Sequence, residues 1–322
     1  MYFLLMLVLI PIFTIAPSLH NYDEPIPQWI KKDAKMWHDE ESSDNEFVNC
    51  IKWAVEKKVI PIRYAVFNGA TTSDTSPELK NIAYYWSIGK VSDSDFTSTI
   101  RHMIQNGVIP MNDDFGVSMK HEMDKVSVVN DTQKSVVVIP VLTSSAYVER
   151  GFYSNYKKEC DKTCLTVPIR DDSPSFMSSA NGIKVLRSLG YKMITDVEVD
   201  SNPHILEQYD KVIVLHNEYV TQPEFDAITK HPHVIYLYPN ALYAKVSINY
   251  WNNTMTLIQG HGYPDSSMGN GFSWKFDNSV LEYDRECKNW RFDKIVNGIM
   301  LNCYPESRLN YDTLLLETIK NF

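Results

Sequence analysis

No basic stripe runs anywhere along this chain. Its net charge is −9 at pH 7, and holding a polyanion requires clustered cations that release phosphate counterions, so nucleic acid is excluded as a partner. No second long hydrophobic run follows the N-terminal one, so nothing after Ala16 is apolar enough to span a bilayer. A G-x-S-x-G nucleophile elbow is absent, and the glycine-rich loop "QGHGYPDSSMGNGFSW" lacks the lysine that a phosphate-cradling loop needs. Cysteine is scarce, with five in all. Cys160 and Cys164 in "ECDKTC" have no C-x-x-C spacing and no histidine partner, which makes zinc a poor reading of them.

What is present divides the chain into parts. At 322 residues it exceeds one ordinary domain, and 44% hydrophobic residues are ample for packed cores. Tyr2 to Ala16 form an apolar run of fifteen residues, shorter than a membrane span and matching the h-region of a signal peptide. Residues 1–20 are therefore expected to be a signal peptide or a retained N-terminal anchor, the only segment that meets a membrane. The rest is expected to be secreted or to face outside. Cysteine usage fits an oxidising compartment, with pairs 160–164 and 287–303 preferred and Cys50 a buried free thiol on a helix face. Asn130 and Asn252 begin N-x-T sequons, which are glycosylation sites if the chain is exported.

The most specific pattern is internal. "IKKDAKMWHDEESSDNEFVNCIKWAVEKKVIPI" from Ile30 matches "LKNIAYYWSIGKVSDSDFTSTIRHMIQNGVIPM" from Leu79 at a constant offset of 49. Ile30, Ala34 and Trp37 make one stripe of a helix. Ser43-x-x-Glu46 and Ser92-x-x-Asp95 read as capping boxes that start a second helix, with Pro61 and Pro110 expected to stop it. Residues 27–62 and 78–112 are thus two copies of a helical hairpin whose Trp packs on the second helix's Phe and Ile. A DNA-reading helix-turn-helix is disfavoured, because the second helices carry few cations. The repeats resemble the short W…SD.(D/E)F…G(V/I)I helical modules of many secreted archaeal proteins. That resemblance implies export, with packing, spacing or attachment to a cell-surface component as the role.

Residues 113–134 are polar and weakly periodic and are expected to be a linker. From Ser135 the pattern alternates. "SVVVIPVLT", "YKMITDVEV", "DKVIVLH" and "HVIYLYP" read as buried strands, with helices between them. "KVSINYWNNTMTLIQG" and "GFSWKF" look antiparallel, and "YDTLLLETIKNF" closes as a helix. The expected class is α/β: duplicated helical hairpins, then a doubly wound, mostly parallel sheet over 135–322 with an antiparallel extension.

Ligands of such sheets sit beyond the carboxyl ends of strands. That rule selects Thr143–Tyr147, His216-Asn217-Glu218 and Tyr238-Pro239-Asn240. "YDKVIVLHNEYVTQPEFDAITKHPHVIYLYPNA" resembles the core of class I glutamine-amidotransferase-like domains, a likeness covering residues 135–262 that implies a flavodoxin-like fold. The family's nucleophile position reads Leu237-Tyr238-Pro239-Asn240 here, without Cys or Gly, so thiolate chemistry is excluded there.

Two functions remain. One is a non-catalytic surface protein that binds a small polar ligand or a partner. The other is an extracellular hydrolase of C–N or glycosidic bonds, with Glu218 as general base, His216 and His261 as acid or as ligands of a divalent metal, and Asn240 polarising a carbonyl. Asp265 is a further candidate beside His261. The bland readings set against these make Glu218 a solvated loop residue, His231 and His233 a surface turn, Asp171 and Asp172 solvated, and Tyr243 and Trp251 core packing.

Overall fold

Stacked rings set the geometry of each N-terminal repeat. In the computed structural model, which describes residues 26–60, 62, 77–111, 121–170 and 174–322, the first copy forms α1 (Gln28–His38) and α2 (Asp44–Glu56). The second forms α3 (Pro77–Ser87) and α4 (Asp93–Gln105). The N-terminal apolar segment, Pro61 and the Asp171-Asp172 pair lie outside the described residues. Trp37 stacks on Phe47 with centroids 4.0 Å apart, and Trp86 on Phe96 at 3.6 Å. Each buried indole donates to the aspartate that opens the next helix, Trp37 to Asp44 at 2.8 Å and Trp86 to Asp93 at 2.7 Å. This explains why the motif needs Asp after its Ser.

The copies pair reciprocally, α1 lying against α3. Lys31 bonds Asp93 at 2.7 Å, and its equivalent Lys80 bonds Asp44 at 3.1 Å. Each of these lysines also sits over the other copy's Trp ring, at 5.2 and 5.5 Å. The duplicated unit therefore closes on itself by an approximate two-fold.

Helix ends depart from expectation in two respects. Ser43 and Glu46 form a full capping box, whereas Ser92 accepts from the Asp95 N–H and donates its hydroxyl to the Asp95 carboxylate, which is one methylene too short to reach the Ser92 backbone N–H. The second helices also stop before the prolines. Lys58 (φ 59°) and Gly107 (φ 74°) are left-handed, and the next N–H returns to the helix, Val59 to Ala54 and Val108 to Met103. That is the Schellman closure.

The α/β part carries a six-stranded sheet in the order β3-β1-β4-β6-β10-β9. Its strands are β1 (Ser135–Ile139), β3 (Lys192–Thr195), β4 (Lys211–Val214), β6 (Val234–Tyr236), β9 (Phe292–Ile295) and β10 (Gly298–Leu301). All neighbours are parallel except the β10–β9 hairpin. Alternating residues feed two cores. Val137, Ile213 and Ile235 pack on α7 (Ala180–Ser188) and α10 (Thr313–Asn321). Val136, Val212 and Val234 pack on α8 (Asp196–Ser201) and α9 (Gln222–Lys230). The sheet is doubly wound.

The antiparallel extension is a second sheet, β2-β8-β7-β5, from Thr166–Pro168, Thr254–Gln259, Ala244–Asn249 and Tyr219–Val220. Several expected boundaries shift. Pro140 ends the first strand and caps α5 (Val141–Ala146), so Val141-Leu142-Thr143 are helical. Thr195 and Glu198 form a capping box that turns "DVEV" into α8. "GFSWKF" is irregular, while β7 and β8 pair antiparallel as expected and a further hairpin joins β9 to β10 through Val296 and Asn297. Within 121–134, Met123, Val126 and Val128 pack on the sheet core.

Disulfides join Cys160 to Cys164 and Cys287 to Cys303, which suggests an oxidising compartment. Cys50 is only half-buried, with its thiol donating to Asp33 at 3.0 Å and pushed up to about 12 by burial and that carboxylate. Among the described residues no helix is long and apolar enough to cross a membrane.

A buried carboxyl pair sits where α8 meets α9. Asp196 accepts N–H bonds from Leu142 and Val197, both at 2.9 Å, whereas neither oxygen of buried Glu224 has a partner. Burial, then the charge of Asp196, holds Glu224 far above the usual carboxylate range, so Glu224 carries the proton. A carboxyl neutral in the native state but ionised in the unfolded chain costs stability as pH rises past its ordinary 4.5. Glu224→Gln is expected to raise Tm by about 4 °C or more at pH 7 and to leave it nearly unchanged at pH 4. Equal gains at both pH values in thermal melts would contradict this assignment.

Candidate functional site

Connections from β1 and β4 run in opposite directions, β1 leading to β3 on one side and β4 to β6 on the other. The crevice between their carboxyl ends is the topological switch point, where open α/β sheets bind ligands. Both loops meet there. Thr143, in α5, accepts the N–H groups of Glu218 and Tyr219 at 2.9 and 3.2 Å. His216 donates its N–H to Ser179 at 3.0 Å, and Asn217 holds Leu215 N–H with its side chain and Leu242 N–H with its carbonyl. The carbonyl of Glu218 takes the N–H groups of Tyr243 and Ala244. The loop is therefore clamped on every side, and Glu218 is buried, not solvated.

His216, Glu218, Asn240 and His261 come together. Glu218 Oε1 is 2.9 Å from Asn240 Nδ2 and 2.6 Å from His261 Nε2. The histidine contact does not meet hydrogen-bond geometry and is a close polar contact. His216 Nε2 stands 3.9 Å from Glu218 Oε2, while its Nδ1 is fixed on the Met177 carbonyl at 2.5 Å. Gly260 presents His261: a Cβ there would lie 2.9 Å from Ala244 Cα, and its φ is 123°. Burial opposes ionisation of Glu218, but His261, His216 and the nearby Tyr147 hydroxyl outweigh it and hold the carboxyl below its ordinary value.

Asn240 departs from the role expected of it. Its amide nitrogen is committed to Glu218 and to Glu282 Oε2, at 2.9 and 3.0 Å, which leaves only its carbonyl oxygen unpaired. An acceptor cannot polarise a carbonyl. Asp265 is exposed and accepts from Ser267, away from this cluster. Buried His231 bonds the Tyr209 carbonyl at 3.0 Å and is no surface turn, and His233 bonds Asp210. Trp251 is 97% exposed at the β7–β8 tip, outside any core. Both sequon asparagines are exposed. Among the described residues no group of three or more His, Cys, Asp or Glu is arranged to hold a metal ion.

Glu218, Asn240 and His261 line a cavity of about 260 Å³ whose walls are chiefly tyrosine. Tyr243 lies 4.5 Å from the His261 ring and Tyr219 5.4 Å, with Tyr147 6.3 Å beyond Tyr219. Tyr153, Tyr156 and Tyr283 form the outer rim. Burial and then the charge of Glu218 raise the phenols of Tyr147 and Tyr219, so both stay protonated. Sequence reasoning missed most of these rings and also Glu282. A signal existed in the 19 tyrosines, more than phenylalanine and tryptophan supply separately. A larger groove of about 570 Å³ separates α4 from residues 176–184 and 306–310, away from this cluster.

Neither a protein-family model nor a curated protein matches this chain. The site is read from its own chemistry.

At the position of the expected elbow, Tyr238 is an anchor. Its buried phenol donates to Glu306, which also accepts the Asn181 and Gly182 N–H groups at 2.6 and 3.2 Å at the start of α7. Burial raises the Glu306 carboxyl despite these donors. Removing it strands a phenol and two helix N–H groups. Glu306→Ala is expected to cost about 3 kcal/mol or more in urea unfolding. A loss below about 1 kcal/mol, the worth of an ordinary surface contact, would show that this carboxyl does not hold the frame.

Proposed function

We propose that the protein is exported and binds a small polar ligand in the tyrosine-walled cleft, with Glu218 as the buried anionic anchor and no covalent chemistry. One observation carries this reading: Glu218 is ionised and buried at the cleft floor, yet among the described residues its Oε2 has no aligned hydrogen-bond partner, the Tyr147 hydroxyl standing only nearby. Buried polar groups are ordinarily satisfied, and exceptions cluster where a ligand completes the set. The lack of a nucleophile at Leu237–Asn240 and the committed amide of Asn240 both favour binding over turnover.

Export is supported by the apolar segment Tyr2–Ala16, by the two disulfides and by the exposed sequons at Asn130 and Asn252. The paired helical hairpins, with their likeness to secreted archaeal modules, would space the binding domain from the cell surface or attach it to a surface component. In this reading the α/β domain is a degenerate relative of the amidotransferase-like domains that keeps the crevice and has lost the elbow.

A hydrolytic reading uses the same atoms, with Glu218 as general base and His261 as its partner. The 2.6 Å contact between them favours it. Binding explains more, because the acceptors left over are unsuited to polarising an ester, amide or glycoside oxygen.

If Glu218 serves a ligand rather than the frame, Glu218→Gln keeps the Asn240 bond and should melt within about 3 °C of wild type, roughly 1 kcal/mol for a domain of this size. A fall of 8 °C or more would make Glu218 a structural ion, and the binding reading would fail.

A further inference from the structure

The kind of ligand follows from which atoms lack partners. Among the described residues four buried polar atoms at or just behind the cleft floor have no hydrogen bond: Glu218 Oε2, Asn240 Oδ1, His261 Nε2 and His216 Nε2. The Asn240 amide is fixed in orientation, since its nitrogen stands within 3.0 Å of two carboxylates. His216 donates from Nδ1 to the Met177 carbonyl at 2.5 Å, which turns Nε2 toward Glu218. Glu218 Oε2 and Asn240 Oδ1 can only accept, and what they lack is a donor.

Charge selects further. Glu218 and Glu282 both face the cleft, bridged by Asn240. The one guanidinium on the wall, Arg285, sits over the Phe176 ring at 5.7 Å. Most of the remaining wall is tyrosine, whose faces attract cations and shelter alkyl groups, with His261 against Glu218 and Met177, Ser279 and Val280 completing it. A ligand nitrogen about 2.9 Å from Glu218 Oε2 would meet the carboxylate oxygen left open at the cleft floor. The overall charge of −9 attracts cations from a distance.

We propose that the cleft takes a small organic ammonium, a protonated primary or secondary amine whose N–H groups meet Glu218 and its neighbours while its carbon chain lies against the tyrosine rings. This rests on the binding reading above and narrows it to one chemical class. Carboxylates are repelled by Glu218 and Glu282. Neutral alcohols bring a single hydrogen and no charge. The cavity of about 260 Å³ suits an amine of a few carbons.

Isothermal titration of the full chain with n-butylammonium chloride, butan-1-ol, sodium butyrate and glucose tests this. Butylammonium is expected to saturate one site and the other three to give no saturable heat. Glu218→Gln should weaken butylammonium at least tenfold. Tyr156→Ala, at the exposed rim, should weaken it a few-fold with the thermal melt unchanged. If glucose or butanol saturates the cleft in a Glu218-dependent way and butylammonium does not, the ammonium assignment falls while the binding cleft stands. If butylammonium binds Glu218→Gln as tightly as wild type, or if no probe binds, the ammonium assignment falls and the cleft loses its support as a binding site.

Discussion

A carboxylate held ionised out of water is the constraint around which the α/β domain is arranged. Desolvation alone would protonate Glu218, and the charge persists because Asn240, His261, His216 and Tyr147 converge on it from four separate segments. Each segment is itself pinned. Thr143 holds the backbone before and after Glu218, Ser179 and Met177 hold His216, Gly260 turns His261 inward, and Asn278 holds Asn240 at 3.1 Å. A buried charge of this kind is costly to keep and seldom adds net stability. Its presence at a topological switch point, opening on an aromatic cavity, argues that it is kept for recognition.

The same domain contains carboxyls with other duties. Glu306 spends both oxygens on helix N–H groups and a phenol and so belongs to the frame. Glu224 spends neither and stays protonated beside Asp196. Lys211, also buried, caps the carboxyl end of α10 by donating to Ile319 and Lys320 carbonyls at 2.9 and 2.7 Å. Environment, not residue type, separates these roles. The N-terminal repeat obeys a different economy, in which one aspartate per copy serves the indole of its own copy and the lysine of the other. The duplication is therefore structural at its centre, and the candidate site lies in the later part of the chain.

Much of the architecture was legible because it is written locally. The helical stripes and Ser-x-x-Glu/Asp caps of the repeat and the continuous β-branched run of β1 each act within a few residues. Failures came where a neighbour overrode the pattern. Pro140 cut an unbroken β-branched run, and Thr195 with Glu198 converted apolar residues into a helix start. Left-handed Lys58 and Gly107 ended helices that the prolines were expected to end. The meeting of His216, Glu218, Asn240 and His261 followed from one rule about strand ends. Their roles did not, because the donor count of Asn240 depends on Glu282, 42 residues away in a turn with no periodic signal. The tyrosine walls were hidden for the same reason: their rings come from five separate segments, helical, extended and irregular, and no single motif.

The central claim is that Glu218 is charged in spite of its burial, and carbon-13 NMR of the glutamate side-chain carboxyls tests it most directly. Comparison with Glu218→Gln assigns the resonance, and a pH titration follows it. The account predicts a carboxyl that stays ionised to a pH below the ordinary glutamate value of 4.5. A resonance that titrates above that value would mean that desolvation wins, that the buried group is a neutral acid, and that the anionic anchor does not exist.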